Sequence, residues 1–162
     1  SILLAGPAGC GKSMLRSVAR QFGVPDTFEG RCCPCGHWND PRYDCRCTAG
    51  QIRRHLARFP DTEITVEVPP VPAREWQSKA KGTSNADIRR QLEEMGAIPP
   101  LTLDEAGSEL LRTAASEHGL SAAELDRAVR IAATIAALDR SDQIGVSHVC
   151  EAINYRPRWR CG

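Results

Sequence analysis

The sequence predicts an α/β fold: a small core with a glycine-rich loop and a cysteine-rich loop, followed by a small C-terminal helical bundle. Three observations lead to this prediction. An apolar run at 2–5 leads into a glycine-rich loop, five of the eight cysteines fall between residues 32 and 47, and apolar residues beyond residue 83 repeat at helical spacing. We therefore assign 1–72 to the core with 32–47 as an insert, 73–83 to a linker, and 84–157 to a helical domain.

The first element in chain order is a phosphate-binding pattern. Residues 6–13 read GPAGCGKS, which matches G-x-x-x-x-G-K-S/T and directly follows the predicted strand Ile2–Ala5. Backbone N–H groups of such a loop and the start of the next helix, here 13–22, form an anion cradle. We expect Lys12 to reach the β- and γ-phosphates of ATP and the Ser13 hydroxyl to bind Mg²⁺. A glycine-rich turn without a ligand is the alternative. The candidate nucleotide-binding residues are Gly6, Pro7, Ala8, Gly9, Cys10, Gly11, Lys12 and Ser13.

The second feature is a cysteine cluster in a stretch, 23–41 and beyond, that lacks periodicity and is predicted to be irregular. Two C-x-C pairs, separated by nine residues, are Cys33 with Cys35 and Cys45 with Cys47. Four thiolates in two close pairs can surround a tetrahedral Zn²⁺ and replace a missing core. Free thiols or disulfides remain alternatives because C-x-C is less specific than C-x-x-C. Cys32 or His37 could replace one of the four ligands.

The next segments alternate between helix and strand patterns. A helix is predicted at 49–58, with Thr48 as its N-cap. The segment TEITVEV at 62–68 alternates apolar and polar residues and predicts a strand that the following prolines end. Residues 73–83 are polar and basic, and we expect a linker or a poorly ordered crossover there.

The remainder predicts four helices with recognisable ends. The first begins at Ser84 or Asn85 and runs to Met95. The second spans 104–118 and ends at Gly119. Ser121 caps the third and longest, with Glu124 at the capping-box position. The last is predicted at 147–155.

Charge and hydropathy restrict the function classes. The formal net charge of +1 gives no global field that would attract nucleic acid or a membrane surface. No apolar stretch approaches the roughly 18 residues that a membrane-spanning helix needs. We expect a soluble, cytoplasmic protein with no membrane partner, in which the cysteines are reduced thiols or metal ligands rather than disulfides.

Two further runs carry a family resemblance. CPCGHWNDPRYDCRCTAGQIRRHLAR at 33–58, followed by VEVPPVP at 66–72, resembles the magnesium-chelatase-like AAA+ ATPases, specifically the bacterial ComM/YifB branch. The segment at 120–156 independently resembles the helical domain of that family. Its closing pattern is matched by His148, Glu151, Ala152, Ile153, Tyr155 and Arg156.

This resemblance implies a fold and partners. The fold is an incomplete P-loop AAA+ core with a cysteine-rich loop, followed by a small C-terminal helical bundle. An AAA+ module of this kind binds ATP with Mg²⁺ and forms a homo-oligomer, by resemblance a ring. ComM members of the family act on DNA during uptake and recombination, so DNA is an expected partner.

The departures from the family concern catalysis. The stretch from Phe22 to Cys32 contains no apolar strand that ends in Asp-Glu, the family's Walker B element. The family's sensor asparagine falls at Arg31, its arginine-finger segment is shortened to 59–62, and its C-terminal sensor arginine aligns with Ala123. Because loss of such groups can cost several orders of magnitude in phosphoryl transfer, we assign no catalytic residue. We expect a truncated or internally deleted member that binds nucleotide and does not hydrolyse it efficiently.

Two alternative functions remain at the level of sequence. One is a non-enzymatic, zinc-stabilised module that binds DNA or a protein through Arg53, Arg54 and Arg58, although three arginines can also form a solvated helix face. The other is an internal-deletion product without an independent function.

Overall fold

A computed structural model describes residues 1–38, 40–78 and 82–156. These residues form seven helices and five strands, and the strands pair in parallel in two small sheets. They divide into two compact units, the first formed by residues 1–78 with Tyr155 and Arg156, the second by residues 82–154. Part of the predicted linker, 79–81, and the predicted domain end at 157 lie outside the described residues.

The first unit contains a three-stranded parallel sheet in the order β2-β1-β3. Its elements are β1 (Ile2–Ala5), α1 (Lys12–Gln21), β2 (Thr27–Gly30), α2 (Ala49–Leu56), β3 (Ile64–Glu67) and the short α3 (Ala73–Trp76). In register, Leu4 of β1 lies opposite Glu29 of β2 and Val66 of β3. The three strands therefore end at the same edge of the sheet, and the glycine-rich loop leaves from the central strand.

The two faces of this sheet have separate small cores. Leu3, Ala5 and Cys32 pack together with Phe59 on one face. Leu4, Cys10 and Val68 form the core of the other face. This division follows from strand geometry, because successive side chains of a strand point to opposite faces.

Strand β2 corrects the prediction that 23–41 is wholly irregular. Its four residues, TFEG, are too few to show a period in the sequence. The strand is specified by pairing with β1, which supplies partners for its backbone groups, and by burial of Thr27. The predicted linker is also partly ordered, since α3 forms a single helical turn within it.

The second unit contains four helices and a short parallel strand pair. Its elements are α4 (Asn85–Met95), β4 (Thr102–Leu103), α5 (Glu105–His118), α6 (Ala122–Leu138), β5 (Gln143–Ile144) and α7 (Val146–Asn154). The four predicted helices are confirmed, with ends within one or two residues. The pair β4–β5 was not predicted, because two-residue strands leave no period to read.

Small apolar residues form the core of the second unit. Its fully buried members are Ala132, Ala136, Ile144, Val149 and Ala152. Four of these lie on α6 and α7, the helices that carry the family-like segment. In the described part of the chain, every helix is too short or too polar to cross a lipid bilayer.

Candidate nucleotide and metal sites

The glycine-rich loop at 6–13 has a backbone that requires glycine at three positions. Gly9 and Gly11 have φ angles of +76° and +94°, in the left-handed region that residues with a Cβ rarely adopt. At Gly6 an added Cβ would lie 2.2 Å from the carbonyl oxygen of Val68. The sequence thus specifies a loop that packs closely on the end of β3.

Helix α1 begins directly after this loop. Its N-cap, Gly11, has no side chain, and no side-chain hydrogen bond caps the helix. The N–H groups at a helix start otherwise need an external acceptor, and the helix dipole adds positive potential there. Ala8, Gly9 and Ser13 are exposed around this end. The loop and α1 together have the form of an anion cradle.

The Lys12 ammonium lies over its own loop. Its Nζ donates hydrogen bonds to the carbonyl oxygens of Gly6 and Pro7, at 3.0 and 2.6 Å, and lies 3.6 Å from the Cys10 Sγ. The positive charge is therefore held at the mouth of the cradle. A phosphate that entered the cradle would offer this ammonium a charged acceptor in place of neutral carbonyls.

Glu29 is a site residue that sequence analysis missed. The Ser13 hydroxyl donates a 2.8 Å hydrogen bond to Glu29 Oε2, and Arg16 Nη1 lies 3.3 Å from the other carboxylate oxygen. The Ser13 hydrogen bond, followed by Arg16, lowers the pKa of the Glu29 carboxyl below its usual value. The sequence has two acids before the cysteine run, Asp26 and Glu29, and without a predicted strand there it does not show which of them lies beside Ser13.

Ser13 and Glu29 border an open groove of about 500 Å³ beside α1. Its other lining residues are Arg16, Ser17, Arg20 and Gln21. Two arginines and the Ser13 end of the glycine-rich loop make this groove suitable for an anion with a bound cation.

The cysteine-rich loop brings four sulfurs together. The Sγ atoms of Cys33, Cys35, Cys45 and Cys47 all lie within 4.8 Å of one another. Three of the separations are 3.3 Å for Cys33–Cys35, 3.6 Å for Cys35–Cys45 and 3.7 Å for Cys45–Cys33. Tetrahedral zinc with sulfur bonds of about 2.3 Å has sulfur–sulfur edges of about 3.8 Å. The donor set and its size therefore fit Zn²⁺.

Local hydrogen bonds shape this cluster. A turn closes with the N–H of Gly36 donating to the carbonyl oxygen of Cys33 at 3.1 Å, and the N–H of Trp38 donates to the Cys33 Sγ at 3.2 Å. A backbone hydrogen bond from His37 is the main cause that lowers the pKa of the Cys35 thiol to about 6. Burial raises the pKa of the Cys45 thiol to about 12, so the thiols of this cluster differ in how readily they form the thiolate that binds a metal.

Neither alternative ligand belongs to the four-sulfur cluster. Cys32 is buried beside Leu3 and Ala5, and burial raises the pKa of its thiol to about 12. The His37 ring packs against the Tyr43 ring with centroids 4.7 Å apart. Among the described residues, the cluster thus has the four predicted cysteines as its members.

The positions that align with catalytic elements of the family that the sequence resembles are Arg31, 59–62 and Ala123, and three arginines lie at α2. The carbonyl oxygen of Arg31 lies 3.0 Å from the His55 Nε2, and the Phe59 ring fills the space beside Gly30. Arg53, Arg54 and Arg58 are exposed on or just after α2. Ala123 is exposed in the first turn of α6.

Comparison with known proteins gives one family. The family model described as magnesium chelatase, subunit ChlI C-terminal, matches residues 64–156. The match begins at β3 and ends after α7, so it covers more than half of the chain and leaves the glycine-rich loop and the cysteine cluster outside. No match was found among the curated proteins.

Proposed function

The chain belongs to the magnesium chelatase family defined by the C-terminal region of subunit ChlI, a family of AAA+ ATPase-like proteins, and from this premise we propose that it binds ATP with Mg²⁺. The nucleotide site is the loop at 6–13. The observation that carries this proposal is the loop's geometry: a glycine-dependent turn at the end of the central strand, followed by an uncapped helix start with Lys12 over its mouth.

Each group in the loop has a distinct part in the proposed binding. The N–H groups of the loop and of the first turn of α1 would surround a phosphate. Lys12 would exchange its carbonyl partners for phosphate oxygens, and the Ser13 hydroxyl would become a ligand of the Mg²⁺ that accompanies ATP. Bound Mg²⁺ would neutralise part of the phosphate charge.

We propose binding without efficient hydrolysis. Arg31 replaces the sensor asparagine, and its described environment includes the His55 contact rather than a catalytic group. Phe59 of the shortened arginine-finger segment is packed against Gly30, and Ala123 has no charge to offer. Stabilisation of the transferred phosphoryl group requires such charges, so turnover should be very slow.

A structural Zn²⁺ at Cys33, Cys35, Cys45 and Cys47 forms part of the same proposal. Sulfur separations of 3.6 and 3.7 Å support it, as do the two C-x-C pairs that bring the sulfurs together. The ion would tie the loop after β2 to the start of α2, where Thr48 begins the helix one residue after Cys47. Metal binding would thus supply stability that the small core of this unit does not.

The finer assignment is to the ComM/YifB branch of the family. The cysteine run at 33–58 and the segment at 120–156 support it, because they resemble segments of this branch and follow one another along the chain in the same order. With it we propose a cytoplasmic, ring-forming homo-oligomer that acts with DNA.

Nucleotide titration tests the central part of the proposal. A fluorescent ATP analogue is titrated into the wild-type chain and into Lys12→Ala, with Arg112→Ala, which removes an exposed cation of α5 outside this groove, as the control. We expect saturable binding by wild type and Arg112→Ala, and a loss of at least about tenfold in Lys12→Ala because the charge–phosphate contact disappears. Equal binding by all three proteins would refute the site. An ATPase rate that Lys12→Ala abolishes would refute the absence of efficient hydrolysis.

The exposed arginines favour a second candidate function, a zinc-stabilised module that binds DNA or a protein. Arg53 and Arg54 extend from α2 directly after the cysteine cluster, and Arg58 follows. In that case DNA affinity should fall steeply with salt, be insensitive to ATP, and drop in an Arg53→Ala/Arg54→Ala variant.

A further inference from the structure

We propose that Glu29 supplies the carboxylate that holds the nucleotide-bound Mg²⁺ opposite Ser13, in place of the Walker B acid that this chain lacks. The inference rests on the proposed ATP binding and concerns the cation, not hydrolysis. It assigns a role to a strand, β2, that stands between the phosphate loop and the cysteine cluster in the sequence.

The side chains of Ser13 and Glu29 are in direct contact. Ser13 Oγ donates to Glu29 Oε2 at 2.8 Å, although the two residues are 16 positions apart. Mg²⁺ prefers oxygen ligands and is usually held in nucleotide sites by one or two carboxylates with phosphates and waters. In phosphate-loop proteins the loop hydroxyl and a strand carboxylate hold the ion together. The Ser13–Glu29 pair has those two oxygens side by side.

Strand geometry explains why Glu29 faces α1. Glu29 lies opposite Leu4 in the register, and Leu4 packs with Cys10 of the phosphate loop. Residues directly opposite each other on paired strands share a face. Glu29 therefore shares the face that carries the loop and Ser13.

Glu67, the acid of β3 on the other side of β1, cannot hold the cation beside Ser13. Glu67 of β3 lies opposite Ala5, and Ala5 packs with Cys32 on the other face. Alternation along the strands sends the Glu67 side chain away from the loop hydroxyl. Of the described residues that line the groove at Ser13, Glu29 is the one acid.

Arg16 completes the arrangement. Its Nη1 lies 3.3 Å from Oε1, so the guanidinium holds one carboxylate oxygen while Oε2 faces Ser13. The Arg16 side chain is 39% exposed and Glu29 is 22% exposed, which leaves the pair accessible from the groove. An incoming cation would replace the Ser13 proton as the partner of Oε2, without a change in the position of the strand.

Titrations with and without the cation test the inference. A fluorescent ATP analogue is titrated in excess Mg²⁺ and in EDTA into wild type, Glu29→Gln and Glu67→Gln. We expect Mg²⁺ to tighten binding to wild type and Glu67→Gln by about 10- to 100-fold, the range lost when metal-supporting groups are removed. We call this gain in affinity from EDTA to Mg²⁺ the Mg²⁺ increment. In Glu29→Gln the Mg²⁺ increment should disappear, while the affinity in EDTA stays the same or improves because a negative charge near the phosphates is gone.

A cation readout gives an independent measurement. The electron paramagnetic resonance signal of Mn²⁺ is recorded with ADP and each protein. We expect protein-bound Mn²⁺ with wild type and Glu67→Gln, and a loss of bound Mn²⁺ with Glu29→Gln and with Ser13→Ala. The double variant Ser13→Ala/Glu29→Gln should lose no more than either single variant, because both oxygens bind one ion.

The outcomes separate the two levels of proposal. An unchanged Mg²⁺ increment and Mn²⁺ signal in Glu29→Gln, with nucleotide still bound, would overturn the role of Glu29 and leave ATP binding intact. Failure of wild type to bind nucleotide in either buffer would overturn the proposed function itself. Circular dichroism shows whether Glu29→Gln is folded. If it is not, Glu29→Asp, which keeps the negative charge, is tested in its place and is expected to bind nucleotide more tightly in Mg²⁺ than in EDTA. A folded Glu29→Asp variant in which Mg²⁺ does not tighten binding would refute the assignment.

Discussion

The Lys12 ammonium lies 2.6 Å from the carbonyl oxygen of Pro7, so the cation of the glycine-rich loop is held by the backbone of the loop itself. A second bond, to the carbonyl oxygen of Gly6 at 3.0 Å, completes this contact. The ammonium therefore helps to order the loop.

This contact predicts an effect of Lys12→Ala without any nucleotide. Removal of the ammonium leaves the Gly6 and Pro7 carbonyl groups without their donor, and we expect the free energy of unfolding to fall by about 1 kcal/mol. Urea denaturation in nucleotide-free buffer measures it. Ser17→Ala, at an exposed position of α1, should not lower stability, and an equal loss in both variants would show that the ammonium has no ordering role.

The cysteine cluster predicts one bound zinc per chain. In Cys45→Ser/Cys47→Ser two of the four sulfurs are lost, so we expect the metal to be absent and the thermal midpoint to fall, because metal binding is coupled to folding. Elemental analysis of the purified proteins gives the stoichiometry. Cys32→Ala and Cys150→Ser should keep the metal, since neither sulfur belongs to the cluster. A metal-free wild type with normal thermal stability would contradict the zinc site.

Asp40 gives a pH-dependent prediction inside the same loop. The Arg42 side chain donates to both carboxylate oxygens at 2.8 Å, and this bond is the main cause that lowers the pKa of Asp40 to about 2. A lowered pKa in the folded state stabilises the protein above the unfolded value, near 3.9, and this stability is lost as pH falls towards about 2.

The carboxyl carbon of Asp40, followed by NMR against pH, measures this value. We expect a midpoint near 2 in wild type and a higher midpoint in Arg42→Ala. At these pH values the thiols are protonated and both proteins are metal-free, so the amide signals of the loop are recorded in the same samples to show that it is still folded. A midpoint near 4 in wild type with a folded loop would show that Arg42 does not hold the carboxylate.

Gly6 and Gly50 should respond to alanine in opposite directions. At Gly6 a Cβ would lie 2.2 Å from the Val68 carbonyl oxygen, so Gly6→Ala should lower the free energy of unfolding by about 1–3 kcal/mol through overpacking. At Gly50, in α2, nothing lies within 4 Å of an added Cβ, and alanine should add about 0.5–1 kcal/mol through helix propensity. Urea denaturation of both variants measures the free energy of unfolding. An increase in Gly6→Ala would contradict the close approach of the loop to the end of β3.

His148 is predicted to stabilise the second unit. It is 7% exposed, and its Nδ1 accepts a 3.0 Å hydrogen bond from the N–H of Gly145 at the start of α7. We expect His148→Ala to cost about 1–3 kcal/mol, because the half-buried N–H of Gly145 loses its partner. The exposed His118→Ala should cost much less. Equal effects of the two substitutions in urea denaturation would exclude a structural role for His148.

Local signals predicted most of the helices. Thr48 and Ser121 are predicted N-caps, and Ser84 is one of the two candidates predicted for α4, with Asn85. Thr48, Ser84 and Ser121 each accept a hydrogen bond from the backbone N–H three residues later. Gly119 ends α5 in the left-handed conformation. Such ends depend on neighbouring residues alone, so the sequence contains the information that determines them.

The short strands and Glu29 could not be predicted in this way. Strands β2, β4 and β5 have two to four residues, and their positions depend on pairing partners that lie 25 or more residues away. The Ser13–Glu29 contact needs the order β2-β1-β3, which no local pattern encodes. The cluster at Cys33 to Cys47 was predictable, by contrast, because a metal site of this kind leaves its ligand spacing in the sequence.

The most direct measurement of the central claim is an amide NMR titration with Mg²⁺·ATP. If nucleotide binds at the phosphate loop, the backbone amide signals of Gly9, Gly11, Lys12 and Ser13 will shift in a saturable manner, while those of Gly119 and Gly145 in the second unit stay in place. Unchanged signals from the loop at a large excess of Mg²⁺·ATP would contradict the proposal that this chain binds nucleotide there.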